Sequence, residues 1–189
     1  QYGINFGIEG SSASQRDTFS DMKLGAIMAL MLMYLVLAWV FSSYGWPLLV
    51  MITIPLGLTG AVLGHWAMDM NMTILSLFGF FGLSGIVVND SIILVMFYQK
   101  IRSRGVPIYL ALEEAACQRL RAVLLTSLTT IAGLTPLLFE TSRQAQFLIP
   151  MAVSIAFGLA FATVLILLVI PAMLSIYEDV QNWFSSDRM

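Results

Sequence analysis

The chain has 189 residues, of which 59% are hydrophobic and 11% charged, and its mean hydropathy is +0.87. A soluble domain is roughly half apolar and roughly a quarter charged, and a soluble core of this length cannot hide so much apolar side chain. Lys and Arg number 9 against 11 Asp and Glu, a net charge of −2 that excludes a basic nucleic-acid surface; the single Cys117 excludes a disulfide framework and a multi-cysteine zinc site, and the single His65 leaves no second histidine for a His-based metal site.

Gln1 to Asp21 is polar and glycine-bearing, with no basic region followed by an apolar one, and reads as the tail of a longer chain (residues 1–21). A spanning helix needs about 20 mostly apolar residues. Five stretches approach that length: about 22–41, 46–67, 72–98, 122–139 and 147–177, together a membrane domain over 22–177. The second carries Gly57, Gly60 and Gly64, and the third Gly79, Gly82 and Gly85, both read as close-packing faces. Pro55, Pro136 and Pro150 fall in or near these stretches, as membrane helices tolerate.

Five basic residues, Lys100, Arg102, Arg104, Arg119 and Arg121, lie in the 99–121 loop, and the other short loops hold almost none. The positive-inside rule therefore expects that loop in the cytoplasm, the N-terminal segment outside and the 178–189 tail inside. Within the loop, Val106 to Gln118 has an apolar face of Ile108, Leu112 and Ala115, read as a short interfacial helix. The expected fold class is an all-α integral membrane bundle of about five spans plus that short cytoplasmic helix. No cofactor or metal is expected, because no Gly-rich phosphate loop precedes a helix and no ligand cluster occurs.

Ionisable residues within a bilayer are costly and default to functional hypotheses. Asp90, in Gly85-Ile86-Val87-Val88-Asn89-Asp90-Ser91-Ile92, is the acidic residue deep in an expected span. It lies about 12 Å along the helix from Tyr98. A carboxyl group at that depth can exchange protons near neutral pH, the property of a relay. The bland alternative is an Asp that only hydrogen-bonds a neighbouring helix. Asn89 and Ser91 point roughly 100° to either side and widen the polar patch. Arg119, at i, i+7 from Thr126, offers an inward Arg–Thr stripe, although snorkelling and hydroxyl bonds to the helix's own backbone are the simpler roles. The own-backbone reading is preferred for Ser127 and Thr130. His65, beside Trp66, reads as a residue of the interfacial aromatic belt.

The blocks "WPLLVMITIPLGLTGAVLG", "FGFFGLSGIVVNDSIILV", "RLRAVLLTSLTTIAGLTPL" and "FLIPMAVSIAFGLAFATVLILLVIPAML", in that order, resemble the C-terminal membrane region of resistance-nodulation-division (RND) efflux transporters, nearest the AcrB-like branch. The resemblance covers the chain from about Ile4 onward. It implies a larger proton-driven transporter of the bacterial inner membrane, trimeric, expelling drugs or other amphiphiles, possessing a periplasmic adaptor and an outer-membrane channel as partners. This chain would supply the last five spans and the relay helices, inactive alone. Matched block to block, Arg119 and Thr126 stand at the family's relay arginine and threonine, and the relay lysine falls on Asn89. That departure removes a cation, and Asp90 beside it adds an anion. The expected coupling set is therefore Asp90, Asn89, Arg119 and Thr126, with protons as the default ion and sodium as the variant. The competing readings are an intramembrane aspartyl protease, which lacks a second facing acid here, and a freestanding membrane scaffold or secretion-accessory protein of related fold.

Overall fold

The computed structural model of the protein describes residues 10–186, with side chains for residues 17–178. Six α-helices follow in order: α1 (Gly10–Phe41), α2 (Gly45–Met51), α3 (Thr53–Ala67), α4 (Ile74–Arg102), α5 (Ile108–Leu138) and α6 (Ile149–Ser186). A short 3-10 turn, Ala145–Phe147, precedes α6. Five segments are long and apolar enough to cross a membrane: Asp17–Phe41, Gly45–Ala67, Ile74–Arg102, Ile108–Leu138 and Ile149–Glu178. The expected all-α membrane bundle is thus the observed fold. Most of the 1–21 segment and of the 178–189 tail lies outside the residues whose side chains are described.

The chain divides between Pro47 and Leu48 into two units. In the first, α1 is one uninterrupted helix whose apolar side chains are broadly exposed, Leu24, Met31, Leu32 and Leu35 among them. Such a helix is suited to lipid. Ser42 turns the chain with a positive φ of 48°, and the Tyr34 hydroxyl donates to the Tyr44 carbonyl at 3.3 Å.

In the second unit α6 packs on α3, α4 and α5, and α4 also touches α3 and α5. Its core is built from Val50, Leu83, Val87, Leu94, Val95, Val153, Leu159, Ile166, Ile170 and Leu174. The second span is broken at Ile52 between α2 and α3. Pro55 explains the break: it has no N–H for the Met51 carbonyl, and its ring crowds that carbonyl. The Thr53 hydroxyl partly compensates by donating to the Val50 carbonyl at 2.6 Å.

Each turn has a local cause. Asp69, after α3, takes φ 51°, the left-handed geometry that closes a helix C-terminus. Thr73 caps α4, its Oγ1 accepting from the Ser76 N–H at 3.3 Å while Ser76 Oγ accepts from the Thr73 N–H at 3.0 Å. Gly105 adopts φ 82° between α4 and α5, a conformation that glycine takes without steric cost. After α5, Glu140 Oε1 accepts from the N–H groups of Thr141 and Ser142, both at 3.0 Å. Those two bonds hold its carboxyl group below the usual carboxylate range.

One expectation is redrawn. The short helix anticipated over 106–118 is not separate: Ile108 begins α5, which runs without interruption to Leu138. Ala111, Leu112 and Ala115 are buried against the bundle, so the apolar face read for a membrane surface meets protein.

Candidate ion-coupling site

Asp90 sits in the middle of α4 and is 6% exposed. Burying a carboxyl group is costly unless it is neutral or paired. Among the described residues it makes no ion pair, with Arg119 of α5 or any other cation, and no side-chain hydrogen bond. The Arg119 guanidinium is instead stationed over the ring of Phe97, with Cζ 5.6 Å from the centroid. Its Nε is buried without a hydrogen-bond partner among the described residues. Acid and base thus lie on adjoining helices without pairing.

The other expected coupling residues lie elsewhere in this chain. Asn89 is exposed, consistent with the angular offset from Asp90 along the helix. Thr126 is exposed and its hydroxyl donates to the Ala122 carbonyl at 2.9 Å. Arg119 and Thr126 therefore do not share a polar contact. Thr130 bonds its own helix at Thr126, as expected, whereas Ser127 reaches across to Thr163 on α6 at 2.6 Å. Ser91, next to Asp90, donates to Thr53 Oγ1 on α3 at 3.2 Å and to the Val87 carbonyl at 2.7 Å.

Of the six glycines anticipated at packing faces, four meet a neighbouring helix. A Cβ on Gly60 would meet the Phe157 carbonyl oxygen at 2.9 Å, and one on Gly64 would strike the Phe157 side chain. On Gly79 it would meet the Met151 oxygen at 2.5 Å, and on Gly57 it would crowd Leu83 Cδ2 at 3.3 Å. Gly82 and Gly85 face open space. Gly158 of α6, not singled out in the sequence, is the reciprocal partner, opposite Leu83 and the Gly57 carbonyl. Close backbone approach thus locks α3, α4 and α6 together.

Two polar nodes fix α4 at its ends. At its start His65 is 2% exposed rather than interfacial, with Nδ1 2.9 Å from the Ala61 carbonyl and Nε2 2.8 Å from Ser76 Oγ. A carbonyl only accepts, so Nδ1 carries a proton there, and Nε2 shares a hydrogen bond with the Ser76 hydroxyl. Trp66, 82% exposed, is the residue fitted to an aromatic belt. Ser154 of α6 donates to the Ser76 carbonyl at 2.8 Å. At the other end Arg102 holds Glu178 of α6 bidentately, Nη2 to Oε2 at 2.7 Å and Nε to Oε1 at 3.0 Å. Tyr98 donates to Glu178 Oε1, and Arg102 Nη1 donates to the Val106 carbonyl at 2.9 Å. Arg102 had been read only as part of a topological charge excess, and its partner lies 76 positions away, beyond any local pattern.

These features define a polytopic α-helical membrane protein with a buried, unpaired acid on one span and a half-buried arginine on the next. The family model for AcrB/AcrD/AcrF matches residues 1–178, and the chain belongs to that family. It is similar to the cobalt-zinc-cadmium resistance protein CzcA of Cupriavidus metallidurans, with 32% identity over 146 residues, 77% of this chain and 14% of that protein. The toluene efflux pump membrane transporter TtgB of Pseudomonas putida is 27% identical over 169 residues, 89% of this chain and 16% of that protein. A crystal structure of a heavy metal efflux pump superposes with a TM-score of 0.80 at 25% identity, covering 88% of this chain and 17% of that one. The chain therefore spans about one sixth of the length of the relatives it matches. The RND resemblance read from the sequence is shown, while relatives named for metal resistance and for solvent efflux make the AcrB-like branch an approximate placement.

Proposed function

We propose that this chain is the C-terminal membrane part of a proton-driven RND efflux transporter and contributes its ion-coupling helices. The observation that carries the reading is the buried Asp90 on α4, unpaired among the described residues while Arg119 of the adjoining α5 rests on Phe97 of the same helix. An acid so placed changes its interaction with the neighbouring cation whenever it gains or loses a proton, which is what coupling to a gradient requires. Asn89 and Thr126, exposed in this chain, belong to the same set through spans supplied by the rest of the transporter. The protein is then a secondary transporter rather than an enzyme. The excess of basic residues in 99–121 supports an inner-membrane orientation with the N-terminal end periplasmic and the C-terminal end cytoplasmic. Its partners are the remainder of its own chain, two further copies in a homotrimer, a periplasmic adaptor and an outer-membrane channel.

Drugs and other amphiphiles are the leading substrates. The identity to a cobalt-zinc-cadmium resistance protein favours divalent metal cations as a second reading. Expressing the full transporter in a pump-deficient host and measuring tolerance to dyes, solvents and cobalt, zinc and cadmium salts separates the two. For the mechanism, Asp90→Asn is made in the same transporter and export is followed under an imposed pH gradient. Export collapses if Asp90 carries the coupling; undiminished export removes it from the mechanism.

A further inference from the structure

The Arg119 guanidinium rests over the ring of Phe97 on α4. Arg119 is about 16 Å into α5 from Ile108, and Asp90 is about 18 Å into α4 from Arg102, so across the tight turn the two backbones are nearly level. Phe97 is only about 8 Å from the same end of α4. Asp90 and Phe97 are separated by seven residues and therefore share one face of α4. The guanidinium thus rests on an aromatic ring on the Asp90 face of α4, and its Nε has no hydrogen-bond partner among the described residues.

We propose that Phe97 is a positioning residue for the coupling step: its ring stations the Arg119 guanidinium away from Asp90 in one state, and release from the ring delivers the cation to the carboxylate in the other. The inference rests on the coupling role proposed for Asp90. A cation over an aromatic face is held without a counter-anion, so Arg119 need not be paired while Asp90 is neutral. Loss of the Asp90 proton creates a buried anion that competes for the same guanidinium.

Among the described residues no other ionisable group competes for Asp90. On α3, His65 is engaged with Ser76 at the far end of α4. On α6 the first titratable groups are Tyr177 and Glu178, and Glu178 is held by Arg102 and Tyr98. On α5, Tyr109, Glu113, Glu114, Cys117 and Arg121 are exposed, and on α4 Tyr98 and Arg102 belong to the Glu178 cluster while Lys100 is exposed.

The test uses the full transporter reconstituted in vesicles, with Phe97→Leu, which keeps apolar bulk but removes the aromatic face, and Phe97→Trp, which strengthens it. Two readouts are followed against pH: substrate transport, and labelling of Asp90 by a hydrophobic carbodiimide, which reacts with the protonated carboxyl group and is located by peptide mass spectrometry. In Phe97→Leu the freed guanidinium stabilises the carboxylate, and the midpoint of labelling moves to lower pH by about one unit, about tenfold in proton concentration, with the transport profile following. In Phe97→Trp it moves the other way. Midpoints unchanged in both variants, or shifted in the same direction, overturn the proposal. Labelling does not require transport, so the role of Phe97 is decided separately from that of Asp90, whose own failure would appear as undiminished export by Asp90→Asn.

Discussion

Replacing Glu178 by Ala removes the acceptor on which Arg102 and Tyr98 converge. The side chains of Arg102 and Glu178 are 34% and 12% exposed, so the pair lies between two regimes. Exposed ion pairs contribute about 0.2–1 kcal/mol, whereas removing one partner of a fully buried pair costs about 3–5 kcal/mol. Bidentate geometry raises the expectation and the part-wet guanidinium lowers it, placing Glu178→Ala at about 2 kcal/mol. The Arg102–Glu178 coupling itself should be about 1 kcal/mol, because part of the single-mutant cost is the unpaired guanidinium left behind. The assay is reversible unfolding in mixed micelles of rising sodium dodecyl sulfate fraction, on the unsubstituted protein, Arg102→Ala, Glu178→Ala and the double variant. If the two single losses simply add in the double variant, to within about 0.3 kcal/mol, the clamp is only a geometric coincidence and the reasoning fails.

The glycine contacts predict a contrast between two positions on one helix. Gly79→Ala forces a Cβ against Met151 backbone and should cost about 1–3 kcal/mol in the same unfolding assay. Gly82→Ala meets nothing within 4 Å in this chain and should be neutral or gain up to about 1 kcal/mol from helix propensity; equal losses at both sites would contradict the packing. The turn after α5 has its own pH dependence. The Glu140 carboxyl group is held below its ordinary range by the N–H groups of Ser142 and Thr141, so its contribution is complete above the unfolded carboxylate pKa and disappears as pH falls through the lower, folded value. Hydrogen exchange at those two amides, corrected for intrinsic pH dependence, should therefore quicken selectively at acid pH and not in Glu140→Ala, where the acceptor is already gone.

The spans were legible because their signal is one-dimensional: about 20 apolar residues in a row can satisfy the backbone of a bilayer segment in no other simple way. Gly57, Gly60 and Gly64 were equally visible, since residues spaced by three or four share a helical face. Spacing alone could not say whether anything faced them, which is why Gly79 found a partner and Gly82 and Gly85 did not. Asp90 stood out as an acid in an apolar run. Its relation to Phe97 and Arg119 depends on how α4 and α5 face each other, which no local pattern encodes. The same holds for Tyr98, Arg102 and Glu178, joined across 76 to 80 positions, and for Ser127, whose partner Thr163 is 36 away. His65 was misplaced because a histidine near a helix end and beside a tryptophan matches an interfacial pattern, although Ser76 was available to satisfy it inside.

The interlocking of α3, α4 and α6 bears on how the protein meets its lipid. Helix α4 has 29 residues, and at about 1.5 Å each it is about 43 Å long, against a hydrocarbon layer of about 30 Å. A lone helix of that length relieves the mismatch by tilting on its own. Here backbones abutting at Gly60, Gly79 and Gly158, with α4 anchored to α6 at Ser76 and Arg102, leave no room for one helix to lean past another. A change of membrane thickness must therefore tip the three as a single raft or thin the surrounding bilayer. Bilayer thickness then becomes a mechanical load on the whole raft, and within this unit the helix held to it by the fewest buried residues is α5, which carries Arg119.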